Sequence, residues 1–451
     1  MLTLIFPIAR TTFLEAVRQP IYALMIAIAG LLQAFNTSST GYSLGYTETG
    51  EVSGDNKLLL EISLATVFGC GTLLAGFIAT AAISREIERK TILTVVSKPV
   101  PRAAIIIGKY LGIAGALLLA VLTMIFFLQL GIRHGVLSTA RDEVDTVTVA
   151  FGLAAVAISV FVGTWGNFMY GWHFGQTASL LLCPLMFLAW VFMLLLDKDW
   201  HWQNPSRDFK PQILVACIGM SLALMVLAGI ATAASTRLGQ VMTIVVCFGA
   251  FVIGLLSNHL IGRRVYQPDL IGQILTAKPE RDTRASFAEM GDIYFITLKS
   301  TSNRAIKAGD PFLYGPSPEG IGMPFPAFAP FEGDIADEST YFKPGSPGAL
   351  VITRATTRQL TVQNVGANPV RVERPPQKDD YLFGAPTRLN VPALLAWGMT
   401  PNMQFFWLSD AVTQNRPVPA GHLGLVTVYS LVQLTTYLSL AVLLFQRREV
   451  G

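Results

Sequence analysis

The sequence predicts a mainly α-helical, polytopic membrane protein of about eight spans, with both termini cytoplasmic and an extracytoplasmic β-rich domain inserted before the last helix. Three observations carry that expectation. Apolar runs of about 20 residues, long enough to cross a bilayer as helices, recur from Ile21 to Leu256 and return once at Leu423–Phe445. Hydrophobic residues make up 52% of the chain and charged residues 14%, with a mean hydropathy of +0.50, which is too apolar for an ordinary soluble enzyme. Between 262 and 421 the composition shifts to Pro, Gly, Thr, Asp and Arg, and no run there is long enough to span. The expected organisation is a transmembrane domain over 1–261, a β-rich domain over 262–421, and a last helix with its tail over 422–451.

Residues Met1 to Gln19 read as an interfacial helix. Ile5, Ile8 or Ala9, Phe13, Ala16 and Val17 form an apolar stripe, with Arg10, Glu15 and Arg18 off it. The basic residues follow the first apolar ones and no small-residue cleavage site is present, so this is not a cleavable signal. Pro20 breaks the helix before a first span at Ile21–Phe35. The polar stretch Asn36–Asn56 carries little positive charge and suits the outer face. A second span follows over Leu58–Ile83.

From Ser84 to Gly112 the chain carries a dense charge cluster between two apolar runs. Basic links between spans stay on the cytoplasmic side. Ile87, Thr91 and Val95 recur at helical spacing, as do Ile92 and Val96, so a short helix near 85–98 has one apolar face. Pro99 and Pro101 end it. Arg102 and Lys109 open the third span, to about Leu130, where long basic side chains can reach back to the water interface.

Glu88, Lys90-Thr91, the Thr94–Val96 run, Ser97-Lys98-Pro99, Arg102 and Gly108-Lys109 before Leu111-Gly112 resemble the cytoplasmic loop of permease subunits of ABC transporters, type-2 exporter class. Val95-Val96 departs from the usual leucine pair, and Pro101 stands where a small polar residue often precedes the arginine. ARTTFLEAVRQP is similar to that family's elbow helix, and the Pro-Asn-aromatic stretch at 401–407 and the ending Phe445, Arg447, Arg448 are similar to its C-terminus. The resemblance implies that the loop is a coupling helix docked into a groove of a separate ATP-binding cassette subunit, and that a second permease subunit completes a homodimer or heterodimer. It implies polar contacts to that ATPase from Arg85, Glu88, Arg89, Lys90, Lys98 and Arg102, with Ile87, Thr91, Ile92, Val95 and Val96 filling the groove. It also implies no enzymatic activity or cofactor in this chain, and a place in the cell (inner) membrane.

The remaining spans read as Thr148–Tyr170 and Ala178–Leu196, an extra hairpin beyond the family's usual six, then Ile213–Ala234 and Met242–Leu256. Seven spans from a cytoplasmic N-terminus place Arg237 inside and Arg133, Arg141, Lys198 and Arg207 outside, each outer base accompanied by acids. The same count puts the 262–421 domain outside, although Arg263 and Arg264 at its threshold run against that rule. Short alternating stretches at Asp292–Lys299, Ala349–Arg354, Gln359–Gln363 and Val370–Glu373 predict a small antiparallel β domain of sandwich type. Leu360 and Val362 are expected to face Val370 and Val372 across a Gly366–Pro369 turn. Arg447 and Arg448 anchor the end in the cytoplasm.

The chemistry-bearing residue types are sparse. No Gly-x-x-x-x-Gly-Lys-Ser/Thr run exists, so any ATP must bind a partner chain. No HExxH or Gly-x-Ser-x-Gly motif is present. His201 near Asp197 and Asp199 has metal-like spacing, but Trp200 and Trp202 mark the stretch as an aromatic interface loop, and no metal site is expected. Cys70, Cys183, Cys217 and Cys247 lie in apolar runs as small apolar residues. The net charge of +4 sits in loops and speaks for membrane orientation, not nucleic-acid binding. The spans are nearly free of ionisable residues, which weakens a proton-coupled transporter. Gly69, Gly71 and Gly76, with Gly108, Gly112 and Gly115, allow close helix contact, either within the chain or across a dimer. These features together predict an ATP-driven export permease of unidentified cargo. The alternative is a non-transporting membrane scaffold whose outer β domain binds a partner or surface polymer.

Overall fold

The computed structural model describes residues 2–39, 54–88, 101–136, 144–280, 291–302, 304–320, 328–370, 374–413 and 417–447. Two compact units emerge: residues 1–255 with 399–451, and residues 256–398. The first is helical. Its elements are α1 (Leu2–Arg18), α2 (Pro20–Ser39), α3 (Gly54–Ala82), α4 (Ser84–Glu88), α5 (Arg102–His134), α6 (Thr146–Tyr170), α7 (Phe174–Leu195), α8 (Pro211–Ser235) and α9 (Gln240–Ser257). Past unit two come the short α11 (Ser409–Thr413) and the long α12 (Ala420–Gln446), with α10 (Val391–Met399) just before them. Eight helical segments among the described residues are long and apolar enough to cross a membrane, and the Thr146–Tyr170 and Phe174–Leu195 pair is among them.

Why these helices associate is visible in their small residues. Without a solvent-driven hydrophobic effect, spans approach through close packing and internal hydrogen bonds. A methyl group on Gly112 would lie 2.5 Å from the Ala9 carbonyl oxygen, and one on Gly108 would lie 3.0 Å from Ile8, so α1 lies directly on α5. Gly71 faces Leu224 of α8, and Gly76 faces Ile244 of α9. These glycines serve packing within one chain, whereas nothing lies within 4 Å of Gly69. Some polar groups inside the bundle are met internally: Tyr22 donates its hydroxyl to the Ala116 carbonyl at 2.8 Å, and Gln33 its side-chain N–H to the Ser63 carbonyl at 3.0 Å. The stripe expected on the first helix is the one observed, with Ala16 and Val17 buried and Phe13 packed on the core.

One irregular segment enters the same core. Residues 400–408 carry no α-helix, yet Met403, Phe406 and Leu408 are buried, and the Trp407 ring stands edge-on to Phe68 at 6.0 Å. Gly254 and Gly219 make room for it: a methyl on either would fall 2.5 Å from the Pro401 carbonyl oxygen and 2.9 Å from that of Phe406, respectively. Non-helical backbone at membrane depth survives only when protein satisfies it. Here the Asn402 N–H donates to the Tyr429 hydroxyl at 2.8 Å, and the Gln404 amide donates to the Leu255 carbonyl at 2.9 Å.

Unit two is built on one six-stranded antiparallel sheet. In chain order its strands are β2 (Leu270–Pro279), β3 (Ile293–Leu298), β4 (Leu313–Gly315), β5 (Ala349–Ala355), β6 (Gln359–Val365) and β7 (Tyr381–Phe383), arranged β4-β7-β2-β3-β6-β5. A separate ladder pairs β1 (Tyr266–Gln267) with β8 (Arg388–Leu389). The sheet's two ends meet on one stretch of chain. Residues 309–312 exchange hydrogen bonds with β5, and 313–315 continue into the pairing with β7. The sheet therefore curls around Ile274, Ile296, Phe312, Ile352, Val362 and Leu382 and replaces the expected two-sheet sandwich.

The expected pairing across Gly366–Pro369 does not occur. Leu360 already faces Ile296 on one side and Ala355 on the other, so β6 has no free edge for Val370. Residues 371–373 lie outside the described residues. The turn is used differently: Gly366 has φ +129° and sits against the Pro347 carbonyl, a conformation and approach open only to glycine.

Candidate functional site

Contacts at the helix ends of the first unit sort its basic residues. Arg18, at the end of α1, donates to Gln176 at the start of α7 (2.7 Å). Arg85 in α4 donates to Gln240 at the start of α9 (2.9 Å). Arg102, opening α5, donates to the carbonyl of Gln446 at the end of α12 (2.9 Å). Arg237 lies exposed in the turn before α9, and Arg447 lies exposed after α12. All five therefore gather at one end of the bundle, the end from which residues 89–100 depart.

The predicted partner-contact residues divide in two. Arg85 is exposed and bonded to Gln240, and Arg102 is bonded to the last turn of α12. Ile87 is 9% exposed and belongs to the core cluster of its own chain. Glu88 closes α4. Arg89, Lys90, Thr91, Ile92, Val95, Val96 and Lys98 lie outside the described residues. The described part of the site is thus its root: α4 extends the line of α3 after Ile83, and the chain re-enters at Pro101 to start α5.

That root holds a contact that sequence reading missed. Lys109 reaches back along α5 as expected, but it stops at protein, not water. Its side chain is 5% exposed, and its ammonium lies 2.6 Å from Glu86 Oε1 and donates to the Ala82 carbonyl at 2.6 Å. A lysine inside an apolar run was the available signal, because such a charge demands a partner. Nothing in the local pattern said which acid.

A second charged cluster occupies the other end. Arg133, whose side chain is 5% exposed, lies 3.1 Å from Asp145 and 3.3 Å from Asp208, and donates to the Leu196 carbonyl at 2.7 Å. Asp145 also caps α6 by accepting from Thr148 N at 3.0 Å. The outer base Arg133, expected to be accompanied by acids, forms with them a buried clamp joining α5, α6 and the 196–208 loop. Within that loop, the Lys198 backbone N–H and then Arg207 hold the Asp197 carboxyl below the usual carboxylate range. Asp197 is thereby committed to structure, and among the described residues no group of three or more His, Cys, Asp or Glu could hold a metal ion.

The arrangement suits recognition and force transmission: basic groups at one face, an apolar helical face predicted beside them, and a buried ion pair behind. The comparison with known families agrees in kind. Residues 60–240, which contain α4, the predicted docking segment and α5 to α8, match the model of the ABC-2 family transporter proteins. No curated protein and no solved structure matches the chain.

Proposed function

We propose, from the match of residues 60–240 to the ABC-2 family transporter model, that the chain is the membrane-spanning subunit of an export system driven by a separate ATP-binding cassette subunit. The observation that carries this reading is the gathering of Arg18, Arg85, Arg102, Arg237 and Arg447 at the bundle end that bears the 85–98 segment. A basic end belongs on the cytoplasmic side, where an ATPase resides. Both termini then face the cytoplasm, and the count of spans carries the β unit to the outer side of the inner membrane. Arg85, Glu88, Arg89, Lys90, Lys98 and Arg102 supply polar contacts to the ATPase; Thr91, Ile92, Val95 and Val96 supply the apolar face, and Ile87, expected among them, instead belongs to the core of its own chain. A second permease chain completes the assembly, and ATP-driven closure of the motor switches access between the two sides.

Charge reversal at Arg89 and Lys90, or Val95→Asp, is expected to abolish co-purification with the ATP-binding subunit while membrane insertion stays intact. Undiminished recovery of that subunit would reject the docking assignment. Lysine-directed labelling from the cell exterior is expected to miss Lys90 and Lys98.

A further inference from the structure

Lys109 stands apart from the other basic residues of its neighbourhood because it is buried. Desolvating an ammonium is unfavourable unless a partner meets its charge. Two partners do so at 2.6 Å each: the carboxylate of Glu86 in α4, and the carbonyl of Ala82. Ala82 is the last residue of α3, at its junction with α4. One side chain of α5 therefore holds both the end of α3 and the short helix that leads into the docking segment. On another face of the same turns, Gly108 and Gly112 press α5 against the backbone of α1, with no space for even a methyl group at Gly112. Close-packed contacts of this kind pass a displacement on instead of absorbing it.

We propose that the Lys109–Glu86 ion pair is the positioning link through which motion of the 85–98 segment reaches the spans, moving α3, α5 and α1 as one body. The inference rests on the docking reading above. Neither residue touches the partner in this scheme; Lys109 acts through Glu86, and Glu86 through α4. A merely structural pair would stabilise the fold and leave the partner's hydrolysis rate alone.

The test uses the full chain co-purified with its ATP-binding subunit in phosphatidylethanolamine–phosphatidylglycerol nanodiscs. The variants are Lys109→Met, Glu86→Gln and Lys109→Arg. Three quantities are read: ATPase retained per permease, hydrolysis by the complex relative to the isolated ATPase, and amide exchange over 84–88. Lys109→Met and Glu86→Gln should retain the partner and raise exchange over 84–88 about tenfold or more. They should also erase the permease-dependent change in hydrolysis. Lys109→Arg should preserve that change, since a guanidinium can still donate to both Glu86 and the Ala82 carbonyl.

Hydrolysis that still responds to the permease in both single variants overturns the inference, as does unchanged exchange over 84–88. Loss of the partner in those variants also overturns it, because the pair would then shape the docking face itself. If Lys109→Met fails to insert, Glu86→Gln decides, and a Glu86→Gln complex whose hydrolysis still responds to the permease is a refutation. Failure of the unaltered chain to retain any ATPase removes the docking reading, and this inference with it. Retention without a Lys109 effect removes this inference alone.

Discussion

At Gly112 the approach of α1 leaves no room for a side chain, whereas the surroundings of Gly69 are open. Gly112→Leu must push the Ala9 backbone aside and is expected to destabilise the protein by about 1–3 kcal/mol, read as a lower melting temperature in detergent. Gly69→Ala should leave that temperature unchanged. The Arg133 clamp makes a sharper demand, because its side chain and that of Asp145 are 5% and 0% exposed. Arg133→Leu strands a buried carboxylate and should cost about 3–5 kcal/mol. Arg133→Leu combined with Asp145→Asn should cost less than the two single changes summed, since the second removes the charge the first orphans. Additivity in that cycle would show that the two groups do not depend on each other.

The irregular segment 400–408 is the element whose stability depends most on side-chain hydrogen bonds. The Tyr429 hydroxyl accepts from the Asn402 backbone at 2.8 Å and from the Gln433 amide at 3.1 Å. Tyr429→Phe keeps the ring, which packs on Phe405 and Phe406, and removes only the hydroxyl, which also donates to the Thr400 carbonyl at 3.5 Å. The expected loss is about 1–3 kcal/mol, with faster proteolysis or amide exchange confined to 400–413 before global unfolding. Uniform destabilisation across the bundle would count against that account. The docking element behaves oppositely: Val95→Asp is expected to spare stability and remove a partner, which separates recognition from folding.

Among whole-molecule features, the β unit has a closed base. Tyr266 pairs with Leu389 and Gln267 with Arg388, so the chain enters and leaves the unit side by side. Joined ends and a core of its own are the marks of an independently folding domain. An excised 264–390 fragment is therefore expected to give a β-type circular dichroism spectrum and a single cooperative melt. A disordered fragment would refute this. Much of the molecule was legible beforehand. Apolar runs announced the spans, composition announced the β unit, and alternation located β3, β5 and β6. The strand β2 was not foreseen, because Leu270 to Pro279 alternates poorly and includes Gly272. The Gly366 turn was seen, but its partner strand was misassigned: β6 is saturated from both sides, by β5 just before it in the chain and by the distant β3.

Spans, the basic character of the 85–102 link and the change of composition at 262 are properties of short windows, so residue order alone determined them. Membrane insertion reads hydrophobicity locally, over about 20 residues at a time. Which acid meets Lys109, which backbone presses on Gly112, where 400–408 finds its donors and acceptors, and how the sheet curls shut were decided only in three dimensions. Each of these joins groups distant in sequence, and burial lets a charge or a polar backbone persist only where the fold delivers its partner.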